Sequence, residues 1–306
     1  MSAKILTVIA GSDIDTFYDV ESFPKAGDAC VAREAGSRVG GCILNVGTIA
    51  SYLGMKVRVL ETLKTGDKGT ELLLKSMTDA GMDISHIRYG KDVVNGRCLI
   101  MRCGSEKCIF VIPPERPLFL PEDEEIRGVL EASDYLYSLA HTLTASFAEL
   151  SPVYEAQKKG VRLILDGSSQ YLDPSEAEIT RHCDALFINT QSYARLSSCY
   201  RKDAAEELLE NGTEFLCVTD GSRGSFLYTR EGKRFEPSVR LEKVIDSTGA
   251  GDTFAASFLT SLASGSSLTE AHKRASAAGA LACLHEGAIS PSLNSAALEA
   301  FIRDIG

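Results

Sequence analysis

"VIDSTGAGDTFAASFL", residues 244–259, runs from a strand-like segment through a Gly-Ala-Gly turn and an acid into an apolar segment. In the apolar part, Phe254 and Phe258 recur at the spacing of one helix face, and Gly265 is placed to end a helix. The stretch therefore predicts a strand end, a glycine turn and the start of a buried helix.

The turn in this stretch has the chemistry of an anion site. The backbone N–H groups of Gly249, Ala250 and Gly251 would have no partner inside the helix and would point beyond its end. Glycines leave no side chain in the way of a phosphate, and the helix dipole adds partial positive charge there. Asp252 then either caps the helix or acts beside a bound anion, and both interpretations stay open on these residues alone.

Strand-like and helix-like segments alternate along most of the chain, which predicts an α/β fold with a mostly parallel central sheet and helices on both faces. The predicted strands are KILTVIAG (4–11), KVRVLETL (56–63), DYLYSLA (134–140), VRLILDGS (161–168), DALFINT (184–190) and EFLCVTDG (214–221). NVGTIASYLG (45–54) and KGTELLLKSMTDAG (68–81) are predicted helices, the second ending at its glycine. No internal repeat or linker divides the chain, so a single domain over residues 1–306 is expected.

Two segments depart from this alternation. GRCLIMRCGSEKCIFVIPP (96–114) has the pattern of a β-hairpin joined by Gly-Ser-Glu-Lys, without a helix beside it. Together with polar strand candidates at 14–38, the region 89–113 is expected to form a small β-sheet standing off the main one.

Composition narrows the class of function. The 306 residues carry a formal net charge of −10 and no run of Lys or Arg longer than two, which argues against nucleic acid or an anionic membrane as a partner. No apolar run is long enough for a membrane span and no signal peptide is visible, so a cytoplasmic protein is expected. Nine cysteines without a Cys-x-x-Cys pair agree with a reducing compartment. Neither the Walker pattern nor a dinucleotide-binding G-x-G-x-x-G after the first strand is present.

Several motifs together resemble one family. DSTGAGDTF (246–254) resembles the C-terminal signature D-T-x-G-A-G-D of the ribokinase-like (PfkB-type) carbohydrate kinases. GGCILNVGTIASYLG (40–54) resembles their Gly-Gly-x-x-x-Asn segment, and VTDGSRGSFLY (218–228) their Thr-x-Gly-x-x-Gly turn. The helix segment 64–87 and the closing segment 279–292 are similar as well, so the landmarks appear in family order over nearly the whole chain.

The resemblance implies a ribokinase-like fold and transfer of the γ-phosphate of ATP to a hydroxyl. Asp252 matches the family's catalytic base, and the amides of residues 249–251 would form the anion hole. Asp246 and Thr248 match positions where many members hold a monovalent cation such as K⁺. The implied cofactors are ATP and Mg²⁺, with K⁺ where that cation site is used.

The resemblance also implies an acceptor side and a nucleotide side. Gly40, Gly41 and Asn45 match the acceptor-contacting segment, and either Asp13 or Asp15 matches the acid of the first strand that binds sugar hydroxyls. On the nucleotide side the matching residues are Asn189, Thr219, Gly221 and Gly224. Arg223 lies in the same turn and would either reach a phosphate or remain solvated.

Two positions depart from the family pattern. Ser192 stands where Asn-x-x-Glu has its Glu, which weakens protein ligation of Mg²⁺ while the phosphates of ATP still supply oxygens. DGSS (166–169) stands where many sugar kinases have Asp-Pro-Asn-x-Arg, which leaves the acceptor unspecified.

Three functions are compatible with the sequence. The first is an ATP-dependent kinase of a sugar or sugar-like acceptor, with the β segments acting as a lid and as the interface of a homodimer. The second is a nucleoside kinase of the same family, and the third is a non-catalytic sugar or nucleotide sensor on the kinase fold. The intact string around Asp252 argues against the third.

Overall fold

The computed structural model describes residues 3–104, 106–167, 174–290 and 292–305. Its larger sheet has nine strands in the order β13-β12-β11-β10-β9-β8-β1-β4-β5. The strands of this sheet, in chain order, are β1 (Ile5–Ile9), β4 (Lys56–Lys64), β5 (Ile87–Gly90), β8 (Tyr135–Leu139), β9 (Arg162–Asp166), β10 (Ala185–Asn189), β11 (Phe215–Thr219), β12 (Gly224–Thr229) and β13 (Gly232–Pro237). Pairing is parallel from β5 to β11, and only β12 and β13 run antiparallel at one edge. The predicted mostly parallel sheet is confirmed.

Helices cover both faces of this sheet. They are α1 (Cys42–Tyr52), α2 (Lys68–Asp79), α3 (Glu124–Glu131), α4 (Ala140–Thr144), α5 (Ser151–Lys158), α6 (Pro174–Thr180), α7 (Thr190–Cys199), α8 (Ala204–Asn211), α9 (Ala250–Ala263), α10 (Leu268–Ala282) and α11 (Ser295–Ile305). Alternate residues of a central strand enter different cores, as on β10, where Phe187 packs with Phe258 of α9 and Leu186 with Leu208 of α8. Because these strands are buried on both faces, their sequences are continuous apolar runs.

A second sheet stands apart, with the strand order β3-β2-β6-β7. Its strands are β2 (Asp13–Val20), β3 (Ala32–Gly40), β6 (Gly96–Cys103) and β7 (Glu106–Ile112). The predicted small sheet and its hairpin are therefore present, and β2 pairs with β6 in parallel. The segment at Ile87–Gly90 belongs instead to the larger sheet, because it pairs with β4.

The site-bearing loops follow from this topology. The chain leaves β1 toward β4 on one side, while β8 lies on the other, so the strand order reverses at β1. In open parallel sheets, ligands bind beyond the carboxyl ends of the strands at such a reversal. Among the described residues, no helix has the length and apolar character needed to cross a membrane.

Candidate active site

Helix α9 begins at Ala250, earlier than the apolar periodicity alone indicates, so Asp252 lies in its first turn. Gly249 is the N-cap, with a left-handed φ of 77°. A Cβ at this position would lie 2.3 Å from the carbonyl oxygen of Ala288, so both the conformation and the close approach require glycine. The glycine turn therefore determines where the helix starts and where the Asp252 carboxylate points.

The start of α9 leaves backbone donors available. The Ala250 N–H is engaged by the Ser247 carbonyl at 3.3 Å. The N–H groups of Gly249, Gly251 and Asp252 meet no hydrogen-bond acceptor within the part of the chain that the structure describes. A helix start with free donors and a positive dipole end suits a phosphate oxygen.

Asp252 is joined to the N-terminal half of the chain by one hydrogen bond. Asn45, buried on α1, donates from Nδ2 to Asp252 Oδ2 at 2.7 Å. The other amide atom, Asn45 Oδ1, is buried and has no partner among the described residues, so it can accept a hydrogen bond from a ligand hydroxyl. Burial raises the Asp252 pKa to about 7, the Asn45 bond opposes that rise, and the charge of Asp166 adds to it. A carboxyl group that titrates near neutrality suits a general base.

Asp166 is a site residue whose position sequence reasoning did not reveal. It ends β9, is 6% exposed and accepts a hydrogen bond of 2.8 Å from the Tyr137 hydroxyl. It lines a cavity of about 340 Å³ together with Cys42, Asn189 and Asp252. The available signal was an acid at the carboxyl end of a buried strand, two strands away from Thr219 in the predicted parallel sheet. Ser168 and Ser169, in the departure noted above, lie outside the described residues.

A larger cavity of about 980 Å³ adjoins the smaller one, and both are lined by Gly251 at the start of α9. Its walls include the predicted nucleotide residues Asn189, Thr219, Gly221 and Gly224, as well as Gly251. At Gly224 φ is 126°, and a Cβ there would lie 2.2 Å from the carbonyl oxygen of Glu236. The structure thus brings these four residues together beside the start of α9.

Two polar groups near this cavity are already engaged. Asn189 caps α7, with Oδ1 accepting from the Ser192 N–H at 2.8 Å. Arg223 pairs with Asp220 through Nε and Nη2, both at 2.7 Å, and remains largely exposed. Arg223 is therefore held by its neighbour in this structure rather than directed into the cavity.

The acceptor segment is fitted around two carboxylates on β2. Asp13 and Asp15 share one face of the strand. A Cβ at Gly40 would lie 2.3 Å from Asp15 Oδ2. At Gly41, φ is 96° and a Cβ would lie 2.1 Å from the Gly11 carbonyl oxygen, so neither glycine can be replaced without movement.

These two acids differ in their surroundings. Burial and then the charge of Asp15 raise the Asp13 pKa to about 6, while Arg116 opposes that rise. Burial also raises the Asp15 pKa, against a hydrogen bond from the Cys98 thiol. The Asp13 carboxyl is therefore mostly ionised at neutral pH and can accept hydrogen bonds from hydroxyls.

Asp246 organises the loop ahead of α9. Its Oδ1 accepts from the Thr248 N–H and its Oδ2 from the Gly287 N–H, each at 2.9 Å. Burial raises the Asp246 pKa, but these backbone hydrogen bonds outweigh it and the net shift is downward. Asp246 therefore stays ionised and joins the α9 loop to the segment after α10.

Comparison with known proteins shows which family the chain belongs to. Residues 5–295 match the family described as pfkB family carbohydrate kinase. The chain is 26% identical to a ribokinase of Arabidopsis thaliana, over 95% of this chain and 79% of that protein. It is 25% identical to a nucleoside kinase of Methanocaldococcus jannaschii, over 85% of this chain and 84% of that protein.

Solved structures show the same fold. A structure of Arabidopsis thaliana ribokinase complexed with ribose and ATP superposes with a TM-score of 0.84 at 21% identity, covering 99% of each chain. The fold and family motifs define an ATP-dependent carbohydrate kinase. The chain belongs to the pfkB family of carbohydrate kinases.

Proposed function

We propose that this kinase transfers the γ-phosphate of ATP to a hydroxyl of a sugar or sugar-like molecule, with Asp252 as general base. The observation that carries the proposal is the position of Asp252. It lies in the first turn of α9, next to free backbone donors, lines the smaller cavity and accepts a hydrogen bond from Asn45 of α1. Asn189, Thr219 and Gly251 line both cavities, so nucleotide and acceptor would meet at this point.

In the proposed reaction, ATP occupies the larger cavity and the acceptor binds against Asp13, Asp15 and Asn45. The acceptor oxygen attacks the γ-phosphorus, its proton passes to the Asp252 carboxylate, and the bond from phosphorus to the β–γ bridging oxygen breaks to release ADP. The donors at Gly249 and Gly251 stabilise the charge on the transferred phosphoryl oxygens. Positioning and charge stabilisation supply most of the rate enhancement in such transfers.

Mg²⁺ fits this site through oxygen atoms. Asp166 and the Asn189 amide provide hard oxygen donors at the smaller cavity. Within the described residues, no cluster of three or more His, Cys, Asp or Glu side chains could hold a metal ion alone. Mg²⁺ would therefore arrive with ATP, whose phosphates complete its coordination and whose charge it neutralises. K⁺ beside Asp246 and Thr248 remains part of the proposal.

We also propose that the four-stranded sheet is a lid and the contact of a homodimer. On β7 the side chains of Ile109, Phe110 and Val111 are each about half exposed, at 49%, 51% and 49%. A closed lid would exclude water from the transfer, and a second copy would cover this apolar strand. Sedimentation velocity tests the dimer: a concentration-independent monomer for the parent contradicts it.

Substitution of Asp252 by Asn tests the proposed base. We expect Asp252→Asn to fold normally and to lose phosphoryl transfer by about 10³-fold or more, because the acceptor proton then has no base. ADP release with Mg·ATP and a panel of sugars measures it, and thermal unfolding checks the fold. Turnover of the variant near that of the parent would exclude Asp252 as the base.

The nucleoside alternative is separated by the same assay. The similarity to an archaeal nucleoside kinase is the observation that keeps this acceptor class in view. A panel that contains both free sugars and nucleosides, run with and without K⁺, identifies the acceptor class and the dependence on the monovalent cation. Turnover restricted to nucleosides would replace the sugar in the proposal without changing the roles of the residues.

A further inference from the structure

A buried ion pair lies next to the acceptor segment and has no role in the transfer described above. Glu61 on β4 pairs with Arg116, which lies in the segment after β7. Their side chains are only 1% and 7% exposed. Such a pair stabilises a fold little by itself, because removing both charges from water offsets their attraction. The position of this ion pair in the structure indicates a different role.

Glu61 holds the residue that precedes Asp13. Its Oε2 accepts from the Ser12 N–H at 3.3 Å and from the Ser12 hydroxyl at 2.9 Å. Its Oε1 accepts from the Thr62 N–H at 3.0 Å and also contacts Arg116. The backbone is therefore fixed where β2 begins, one residue ahead of the Asp13 carboxylate.

Arg116 is fixed from the opposite side. The neighbouring Glu115 exchanges backbone hydrogen bonds with Val94, at 3.0 and 2.8 Å. Two residues beyond Val94, Gly96 pairs with Asp13 in the four-stranded sheet. A Cβ at Gly96 would lie 2.0 Å from Asp13 Oδ1, so the carboxylate rests against the backbone segment that anchors the arginine.

The charged and titratable groups around Asp13 come from four elements and one loop. They are Asp15 on β2, Cys98 on β6, Cys42 on α1, Glu61 on β4 and Arg116. Burial raises the pKa of the two thiols, so both are neutral at pH 7. Arg116 supplies the positive charge that opposes burial and Asp15 in setting the Asp13 pKa.

We infer that Arg116, held by Glu61, is a positioning residue that orients the Asp13 carboxylate toward the acceptor hydroxyls. The inference rests on the proposed function, in which Asp13 binds the acceptor. An ionised carboxylate accepts hydrogen bonds from sugar hydroxyls with both oxygens, whereas a protonated one has less capacity to accept.

The direct test follows the Asp13 carboxyl by NMR in protein labelled with ¹³C at the aspartate carboxyl carbon. The signal is assigned by its loss in Asp13→Asn. We expect it to titrate near pH 6 in the parent and at least about one pH unit higher in Arg116→Met, because the opposing cation is gone. Arg116→Lys should restore most of the parent titration. Arg127→Met, which removes one partner of the exposed Arg127–Glu155 pair, should leave it unchanged.

A second variant covers the case in which Arg116→Met fails to fold. Arg116→Met alone leaves Glu61 as an uncompensated buried charge. The double variant, with Glu61→Gln and Arg116→Met, removes both charges. We expect the double variant to fold and still to show the raised Asp13 titration. An unchanged Asp13 titration in the folded double variant would overturn the inference.

Kinetics separate this inference from the proposed function. With D-ribose as the probe at pH 6, we expect the double variant to raise the ribose KM by at least about fivefold, because the ionised fraction of Asp13 falls by that factor, and to leave the ATP KM unchanged. Equal effects on both KM values would indicate general damage and overturn the positioning role. A parent enzyme inactive on every sugar and nucleoside of the panel would instead overturn the proposed function, while the NMR titration still decides the coupling between Arg116 and Asp13.

Discussion

The two sheets of this kinase each supply part of the candidate site, and they are held in place in different ways. The nine-stranded sheet is covered on both faces, and β8 to β11 are almost wholly buried. In the four-stranded sheet, β3 and β7 are mostly exposed. Many of its side-chain contacts lie at the surface, such as Arg102 over the ring of Phe17 at 5.2 Å. Core packing thus positions Asp252, whereas the carboxylates of β2 lie in a sheet with exposed outer strands and are held to the larger sheet through Glu61 and Arg116.

The largest expected effect is on the stability of the nine-stranded sheet. Phe258 is fully buried and stacks on Phe215 with ring centroids 5.0 Å apart. We expect Phe258→Ala to lower the free energy of unfolding by about 3–5 kcal/mol. Phe110→Ala, on the exposed β7, should change it by less than about 0.5 kcal/mol in dilute protein. Urea unfolding measures both, and similar losses for the two variants would contradict the contrast between the sheets.

The next largest effect is expected on acceptor binding, with little change in the stability of the fold. We expect Gly40→Ala to raise the acceptor KM by roughly tenfold or more, because its methyl group displaces the Asp15 carboxylate. The ATP KM should change little because Gly40 does not line the larger cavity, and the unfolding midpoint should change little because the added methyl group meets only the end of the Asp15 side chain. Gly128→Ala on α3, where a Cβ meets nothing within 4 Å, is the matched control. An unchanged acceptor KM in Gly40→Ala would show that Asp15 does not hold the acceptor.

The pH dependence of kcat and of kcat/KM distinguishes the role of Asp252 from that of Asp13. A base must be ionised, so kcat should fall about tenfold for each pH unit below the Asp252 pKa of about 7. For kcat/KM of the acceptor, the fall should steepen below about 6, where Asp13 becomes protonated as well. Steady-state rates between pH 5 and 9 test this. In Asp13→Asn the steeper part should vanish, and its persistence would assign the lower titration to another group.

The smallest effect is expected at a surface contact between the four-stranded sheet and the segment after α10. Arg38 of β3 and Glu286 approach to 3.4 Å, with side chains 59% and 75% exposed. Exposed pairs of this kind contribute little because water and salt screen them. We expect Glu286→Gln to change the acceptor KM by less than about twofold. A larger, salt-sensitive change would show that this pair holds the lid closed.

The sequence predicted six of the nine strands of the larger sheet, the smaller sheet with its hairpin, and several of the residues that meet at α9, but it did not predict β13 and it assigned the region of β5 to the smaller sheet. Local pattern sufficed there, because glycines with positive φ and strand-ending acids leave a signal within a few residues. The positions of Asp166 against Asp252 and of Glu61 against Arg116 could not be predicted in this way. Each pair joins separate elements, so its proximity arises only from the packing of the whole sheet. The hydrogen bonds between Arg223 and Asp220 were not predicted either, although these two residues lie in the same turn.

The hydrogen bond between Asn45 and Asp252 has a consequence for how activity is acquired. It joins residues 207 positions apart in the chain. Contacts of such sequence separation form late, since the loop-closure entropy must be overcome before they contribute. During synthesis, α1 and the first strands emerge well before the helix that carries the base. Recovery of phosphoryl transfer after dilution from denaturant should therefore lag behind the recovery of helical circular dichroism. The length of this delay would measure how long α9 takes to dock onto α1.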